Sequence, residues 1–355
     1  MKIKQLLRTT HLPAKIFYYK LLKIKRPLVV LLYVTDRCNL SCQYCKGHWS
    51  ARKIIDYTTA ELLKIIDECA ELGACYFNIH GGEIFLRDDT ELLVRYLKKK
   101  GMFVSIVTNG ILLPERMHIA KLADGICISL DGKEENHDFV RGKGSYRAAM
   151  EAITVAKEHQ IKFAVHAAIT QKNKNDILHL ATMAKEIGYL QQFSLPLKPF
   201  TENLSHLHLT DEEIKTAVSE IISLKQQGYP IYTSERVLKN ALNWPLKYEH
   251  PYVMKEEFAN YDNLIPCHYG KLKLSIDANG FAFPCSSLNQ HFQALNVKEV
   301  GVKRAYEHIL KHNRCEACYY LTQNDWNLLL GANLGQYFNQ AVTQIKQIFG
   351  NFGRM

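Results

Sequence analysis

A chain of 355 residues, 47% of them hydrophobic, can build one large domain and a small one around an ample core, and it shows no solenoid period. Its formal charge of +10 is moderate for this length, and no nucleic-acid partner is expected from it. The longest apolar run, 27–34, falls far short of the roughly 20 residues that span a bilayer, and ten irregularly spaced cysteines without a signal peptide argue against a disulfide framework.

The first 27 residues hold Lys2, Lys4, Arg8, Lys15, Lys20, Lys23, Lys25 and Arg26, with Leu6, Leu7, Ile16, Phe17, Tyr18, Leu21, Leu22 and Ile24 between them. This pattern predicts a basic amphipathic helix interrupted near Pro13. Such a helix can make peripheral contact with an anionic membrane, or it can pack across the bottom of the next domain with its lysines in water; the second use is the commoner. A strand over 28–34 follows, and directly after it come Cys38, Cys42 and Cys45 at C-x3-C-x2-C. A zinc site would want a fourth ligand in paired spacing, which His48 does not supply. Three thiolates suit a [4Fe-4S] cluster with one iron left open for chemistry, because clusters that only carry electrons usually hold four.

Thr58 or Thr59 caps a helix reaching Leu72 and closed by Gly73, and a strand over 75–80 ends in Gly81-Gly82-Glu83. Two glycines at a strand end predict backbone that approaches a ligand closely. A helix over 91–100, a strand over 102–107 ending in Thr108-Asn109-Gly110, and a strand over 125–130 ending in Asp131-Gly132 come next. A helix over 146–159, a strand over 162–170, a helix over 176–187 and a strand over 192–197 bring the count to six βα units by about residue 228. That alternation implies a parallel sheet with right-handed crossovers, and six units are too few for a closed eight-stranded barrel. His166, on the fifth strand, is a substrate-side candidate, whereas Cys69, Cys75 and Cys127 read as core cysteines.

From 229 to 266 the chain turns aromatic and proline-punctuated without a clear period, as a linker would. Cys267 and Cys285 then bracket a hairpin over 272–284 with an Asn279-Gly280 turn, a helix over 302–312 leads to the turn Cys315-Glu316-Ala317-Cys318, and a closing helix is expected over 324–348. Four thiolates so arranged can enclose one zinc ion or one [4Fe-4S] cluster, and the spacing does not choose.

The cysteine triad, with Tyr44 directly before its third member, resembles the signature of radical S-adenosylmethionine (SAM) enzymes. The resemblance implies that the open iron is chelated by the methionine part of SAM, and that an electron from the cluster cleaves SAM to a 5′-deoxyadenosyl radical that abstracts hydrogen from substrate. Gly81, Gly82 and Glu83 resemble the family's GGE motif, which receives the SAM ammonium, although Ile84 stands where the family often has proline. Ser129, Asp131 and Arg141 resemble cofactor-side residues of the branch with extra clusters. The fold implied is α/β, a partial (β/α)6 TIM-like barrel with a small C-terminal α+β cluster-binding module.

Cys267, Cys285, Cys315 and Cys318 resemble a truncated SPASM module, called a twitch domain, which implies one auxiliary [4Fe-4S] cluster that passes electrons. The expected division is an N-terminal helix at 1–27, the barrel at 28–228, a linker over its opening at 229–266, the module at 267–320 and a C-terminal helix at 321–355. A cytoplasmic enzyme is expected, served by a reducing partner such as flavodoxin or ferredoxin; no catalytic side chain beyond the cofactor contacts is assigned. A small-molecule substrate is preferred, because a short N-terminal extension leaves no room for a peptide leader-binding domain. The alternatives are a peptide-modifying enzyme that matures ribosomal peptides, and a zinc-bound interaction protein on a degenerate barrel.

Overall fold

A computed structural model describes residues 2–45, 56–195, 206–288 and 291–331, with the backbone alone for residues 2–11. His48, the last residues of the strand expected over 192–197, and the closing helix beyond residue 331 lie outside the described residues. Six strands stand side by side in chain order: β1 Val29–Tyr33, β2 Tyr76–His80, β3 Phe103–Thr108, β4 Gly125–Ser129, β5 Phe163–Ala168 and β6 Leu190–Ser194. All five neighbouring pairs are parallel.

The crossovers carry α2 Thr59–Glu71, α3 Thr90–Lys99, α4 Met117–Ala120, then α5 Glu134–Arg141 and α6 Ser145–Glu158 together, and α7 Ile177–Ile187; α8 Asp211–Gln226 follows β6. The N-terminal helix, α1 Lys2–Leu21, continues through Pro13, which corrects the expected interruption. The start of α2 follows the expectation: the Thr58 hydroxyl accepts from Glu61 N–H, and the Glu61 carboxylate accepts from Thr58 N–H at 2.7 Å.

Strand burial alternates, and the two faces differ in chemistry. Phe77, Ile79, Val104, Ile106, Ile126, Ile128 and Val165 are buried among apolar residues of the flanking helices. The other face carries Asn78, His80, Ser105, Ser129, His166, Gln192 and Ser194. A parallel sheet covered by helices on both sides would be apolar on both faces, so the polar face lines an open interior. The strand order has two free ends, and the sheet is an open arc.

The C-terminal hairpin joins this arc. Its strands are β8 Lys273–Ile276 and β9 Phe281–Phe283; β8 pairs parallel with β1, and β10 Leu295–Asn296 adds a ninth strand. Gly280 takes φ +97° in the connecting loop, a conformation that favours glycine. The segment expected as a structureless linker contains α9 Glu235–Leu242 and β7 Tyr252–Met254. α9 is too short to announce a period, and three of its eight residues (Val237, Leu238, Ala241) are buried.

α10 Val297–His312 breaks its helical geometry at Gly301, where φ is +77°, so its second part matches the expected helix. Cys315 to Cys318 is a strand, β11, paired with β7, and not the expected turn. The last helix, α11 Leu321–Leu330, begins earlier than expected.

Candidate active site

The carboxyl ends of β1 to β4 surround a cavity of about 380 Å³, and Cys38, Cys42 and Cys45 all line it. The loop after β1 that carries them is pinned by the loop after β2. Gly82 N–H donates to the Thr35 carbonyl at 2.8 Å and Glu83 N–H to the Arg37 carbonyl at 2.7 Å. A Cβ on Gly82 would lie 2.2 Å from the Arg37 carbonyl oxygen, and one on Gly81 would lie 2.9 Å from Thr35 Cγ2. The two glycines line the cavity, and the root of the cysteine loop already forbids a side chain at either position.

Glu83 is buried and its side chain points into the protein. It accepts from Phe85 N–H at 3.2 Å, the Thr108 hydroxyl at 2.9 Å and Asn109 N–H at 2.8 Å. Burial raises its carboxyl to about 7 in spite of those three bonds. Glu83 therefore ties the β2 loop to the end of β3, and Asn109 in turn donates to the Asn39 side chain at 2.7 Å inside the cysteine loop.

Asp131 plays a similar part at the end of β4. Its carboxylate is inaccessible and accepts from Arg141 Nε at 2.5 Å, the Tyr44 hydroxyl at 2.5 Å and Ala168 N–H at 2.9 Å. Burial alone would raise its carboxyl; the Arg141 guanidinium more than offsets that and holds it below the usual range. Arg141 also lies 5.5 Å from the centre of the Tyr44 ring. Tyr44, Ser129 and Arg141 line the cavity, whereas Glu83 and Asp131 stand behind its wall.

Four residues that sequence reasoning missed complete the frame. Buried Arg87 donates to the Val34 and Tyr57 carbonyls at 3.2 and 3.0 Å and pairs with Asp89 at 2.7 Å. Asp56 accepts from the Thr35 hydroxyl at 2.6 Å and from Arg37 Nε at 2.7 Å. His80, the last residue of β2, lines the cavity, and its Nε2 is buried without a hydrogen-bond partner. Burial, with Lys273 and His166 nearby, lowers its pKa to about 3, so the ring is neutral. The signal in the sequence was its place directly before Gly81-Gly82. His166 stands opposite Ser129 in the β4–β5 register, and burial lowers its pKa to about 4.

The second set of cysteines meets in one narrow cavity, where Cys267, Cys285, Cys315 and Cys318 are joined by Tyr252, Tyr269 and Tyr320. In a regular strand Cys315 and Cys318 would face opposite sides. A register shift between Cys315 and Ala317 in the β7–β11 ladder changes that parity, and both thiols reach the same cavity. A hydrogen bond with Cys315 holds the Cys267 thiol below its ordinary value, and burial pushes Cys285 and Cys318 up.

All ten cysteines are free thiols, and both sets are thiol-only, the usual donor set of [4Fe-4S] clusters. Among the described residues no three His, Cys, Asp or Glu side chains are arranged to grip a single metal ion. The four C-terminal thiols converge on one narrow cavity. In donor chemistry the residues fit clusters at both places. Cys69 is buried in the core, while Cys127 lies on the polar face, its thiol 4.0 Å from the Gln192 side-chain oxygen.

Comparison with known proteins gives this geometry a family. The profile of the radical SAM superfamily matches residues 32–184, which begin in β1 and include the triad. The chain is 30% identical over 224 residues to GTP 3′,8-cyclase of Aquifex aeolicus, covering 59% of this chain and 68% of that protein. The chain belongs to the radical SAM superfamily. It is an enzyme, and its cofactors are SAM and a [4Fe-4S] cluster.

This radical SAM enzyme is also 28% identical over 285 residues to the mycofactocin maturase MftC of Mycobacterium tuberculosis, covering 78% of this chain and 68% of that one. It is 32% identical over 168 residues to PqqA peptide cyclase of Bradyrhizobium diazoefficiens, covering 45% and 44%. The chain spans about half the length of the first curated relatives it matches, from 44% to 55%. Among solved structures, Streptococcus suis SuiB bound to its precursor peptide SuiA has the same fold, with a TM-score of 0.63 at 16% identity over 81% of this chain and 66% of that one.

Proposed function

We propose that this radical SAM enzyme modifies a peptide, with the triad holding the SAM-binding cluster and Cys267, Cys285, Cys315 and Cys318 holding an auxiliary [4Fe-4S] cluster. The observation that carries the peptide substrate is the reach of the MftC match. A match covering 78% of this chain cannot be contained in the barrel strands and must extend past Cys267. A relative whose likeness extends past Cys267, the first of the second cysteine set, is thus a maturase, and another relative is a peptide cyclase. The small-molecule substrate preferred from the sequence retains the likeness to GTP 3′,8-cyclase in its support.

When bound, the first cluster supplies the electron that cleaves SAM and so provides the radical for hydrogen abstraction. The chain's own residues supply position and enclosure. Cys38, Cys42 and Cys45 present their thiols to the cavity, and Gly81, Gly82, Ser129, Tyr44 and Arg141 form the wall against which SAM would lie. Glu83 and Asp131 act on SAM through the loops they fix. His80 adds a neutral imidazole to the same wall, with no charge of its own. The proposed division of the chain is 1–27, 28–228, 229–266, 267–320 and 321–355, with β8 and β9 built into the barrel sheet. Low-potential electrons would come from a flavodoxin or ferredoxin in the cytoplasm, a compartment that keeps thiols reduced.

The test uses host extract grown in deuterated medium and separated by size into peptide and metabolite fractions. Each fraction is incubated anaerobically with reconstituted enzyme, unlabelled SAM and dithionite. Deuterium is expected in 5′-deoxyadenosine with the peptide fraction. Deuterium transfer from the metabolite fraction alone would overturn the peptide reading.

A further inference from the structure

We propose that α1 docks this enzyme on an anionic phospholipid bilayer. Among the described residues nine large hydrophobic side chains are exposed, and four of them fall within six consecutive positions: Phe17 at 59%, Tyr18 at 53%, Leu21 at 69% and Leu22 at 52%. With exposed Ala14 they recur at i, i+3, i+4, i+7 and i+8, which is one continuous stripe at helical spacing. The stripe is distinct from the face by which the helix holds the barrel. Ile16 and Tyr19 pack on Leu28, Val29, Leu272 and Leu330, and Lys15 Nζ donates to the Gly73 carbonyl at 3.4 Å. The helix thus has two apolar faces, one spent on the barrel and one turned to solvent.

Charge selects the occupant. Residues 1–35 contain eight Lys and Arg and no Asp or Glu, the first acidic residue being Asp36. Lys23, Lys25 and Arg26 are exposed beside the stripe, as is Lys20, whose ammonium donates to the Gly331 carbonyl at 2.6 Å. An apolar stripe on a helix whose own charged side chains are all cationic suits the boundary of an anionic bilayer, where the rings and leucines enter the acyl region and the lysine stems carry their ammonium groups back to the phosphates. A nucleic acid would engage the cations and leave the stripe in water, and a second copy of this chain would bring equal positive charge against it. The location adds a consequence. α1 packs at the amino ends of β1, β2 and β8, while the cysteine cavity opens at the carboxyl ends, so docking through α1 turns the mouth of the site away from the membrane.

The test is co-sedimentation of the full chain with vesicles of phosphatidylcholine alone and with 30% phosphatidylglycerol, at low and high salt. Binding is expected with phosphatidylglycerol, weakened by salt, and the double variant Phe17→Ser, Leu21→Ser should lose roughly tenfold or more of it. Both side chains are exposed, so iron content and melting temperature should not change. The variant Tyr18→Trp reports independently, its fluorescence shifting blue with anionic vesicles only. Equal binding to both vesicle types, unchanged binding by the double variant, or no fluorescence shift would overturn the proposal. So would a concentration-dependent dimer that the double variant abolishes while vesicles stay unbound, which would give the stripe to a second copy.

Discussion

The most demanding test of the site's frame is Asp131→Asn. Wild-type Asp131 receives four donors: Arg141 Nε at 2.5 Å and Tyr44 OH at 2.5 Å on one oxygen, Arg141 Nη2 at 3.3 Å and Ala168 N–H at 2.9 Å on the other. An asparagine can keep its oxygen towards Ala168, and its NH2 group then faces the Arg141 donor. The Arg141 side chain is 9% exposed, so its charge is left buried and unpaired. Breaking such a pair costs about 3–5 kcal/mol, a large part of the roughly 5–15 kcal/mol that holds a domain together. For a chain of this size the melting temperature should fall by about 5 °C. Anaerobic thermal and urea unfolding of Asp131→Asn, Arg141→Met and the double variant measure the effect. The double variant should recover much of the loss, because no buried charge remains. A single-variant loss below about 1 kcal/mol, or a double-variant loss equal to the sum of the singles, would refute the account of Asp131 as the counter-charge.

Glu83 gives a pH test of definite sign. Its carboxyl is raised from 4.5 to about 7 by burial, so the stability it contributes is full below 4.5 and is lost as pH climbs through 7. The loss amounts to about 3 kcal/mol; Glu83→Gln should flatten the fall in urea midpoint between pH 5 and pH 8, and parallel profiles for the two proteins would refute it. Asp131 has the opposite sign, since its lowered carboxyl gives stability that persists above the ordinary range and fades only in acid. Gly82→Ala should destabilise by roughly 1–3 kcal/mol and loosen the triad's iron as well as SAM binding, because the new methyl meets Arg37 backbone; loss of SAM affinity with stability and iron intact would show a ligand-facing glycine after all. Replacing Cys38, Cys42 and Cys45 with alanine should remove about four of eight irons and end SAM cleavage, which iron analysis and 5′-deoxyadenosine chromatography check. Cys315→Ala with Cys318→Ala should leave deuterium transfer to 5′-deoxyadenosine near the wild-type rate while oxidised product fails to accumulate; continued product would remove the electron-acceptor role.

The sequence by itself limited the chemistry open to the cysteine triad and determined the parallel architecture. C-x3-C-x2-C after an apolar strand limits the metal chemistry through donor type alone, and βα alternation limits topology because parallel strands require crossovers. Local signals such as Thr58 with Glu61, or Gly280 in its hairpin loop, were legible because their physics is contained within a few residues. Contacts between distant segments were decided by tertiary structure. Nothing in the chain near Lys273 announces that β8 pairs with β1, since a strand edge carries no label of its partner. The same holds for Glu83, whose partners lie 25 and 26 residues away at Thr108 and Asn109 and make its carboxylate a brace between two loops. Cys315 and Cys318 read as a turn, whereas in the fold they lie on a strand, and only pairing with β7 introduced the bulge that brings both thiols to one side. Short-range spacing is written along the chain, whereas parity, partner and burial depend on what folds against it.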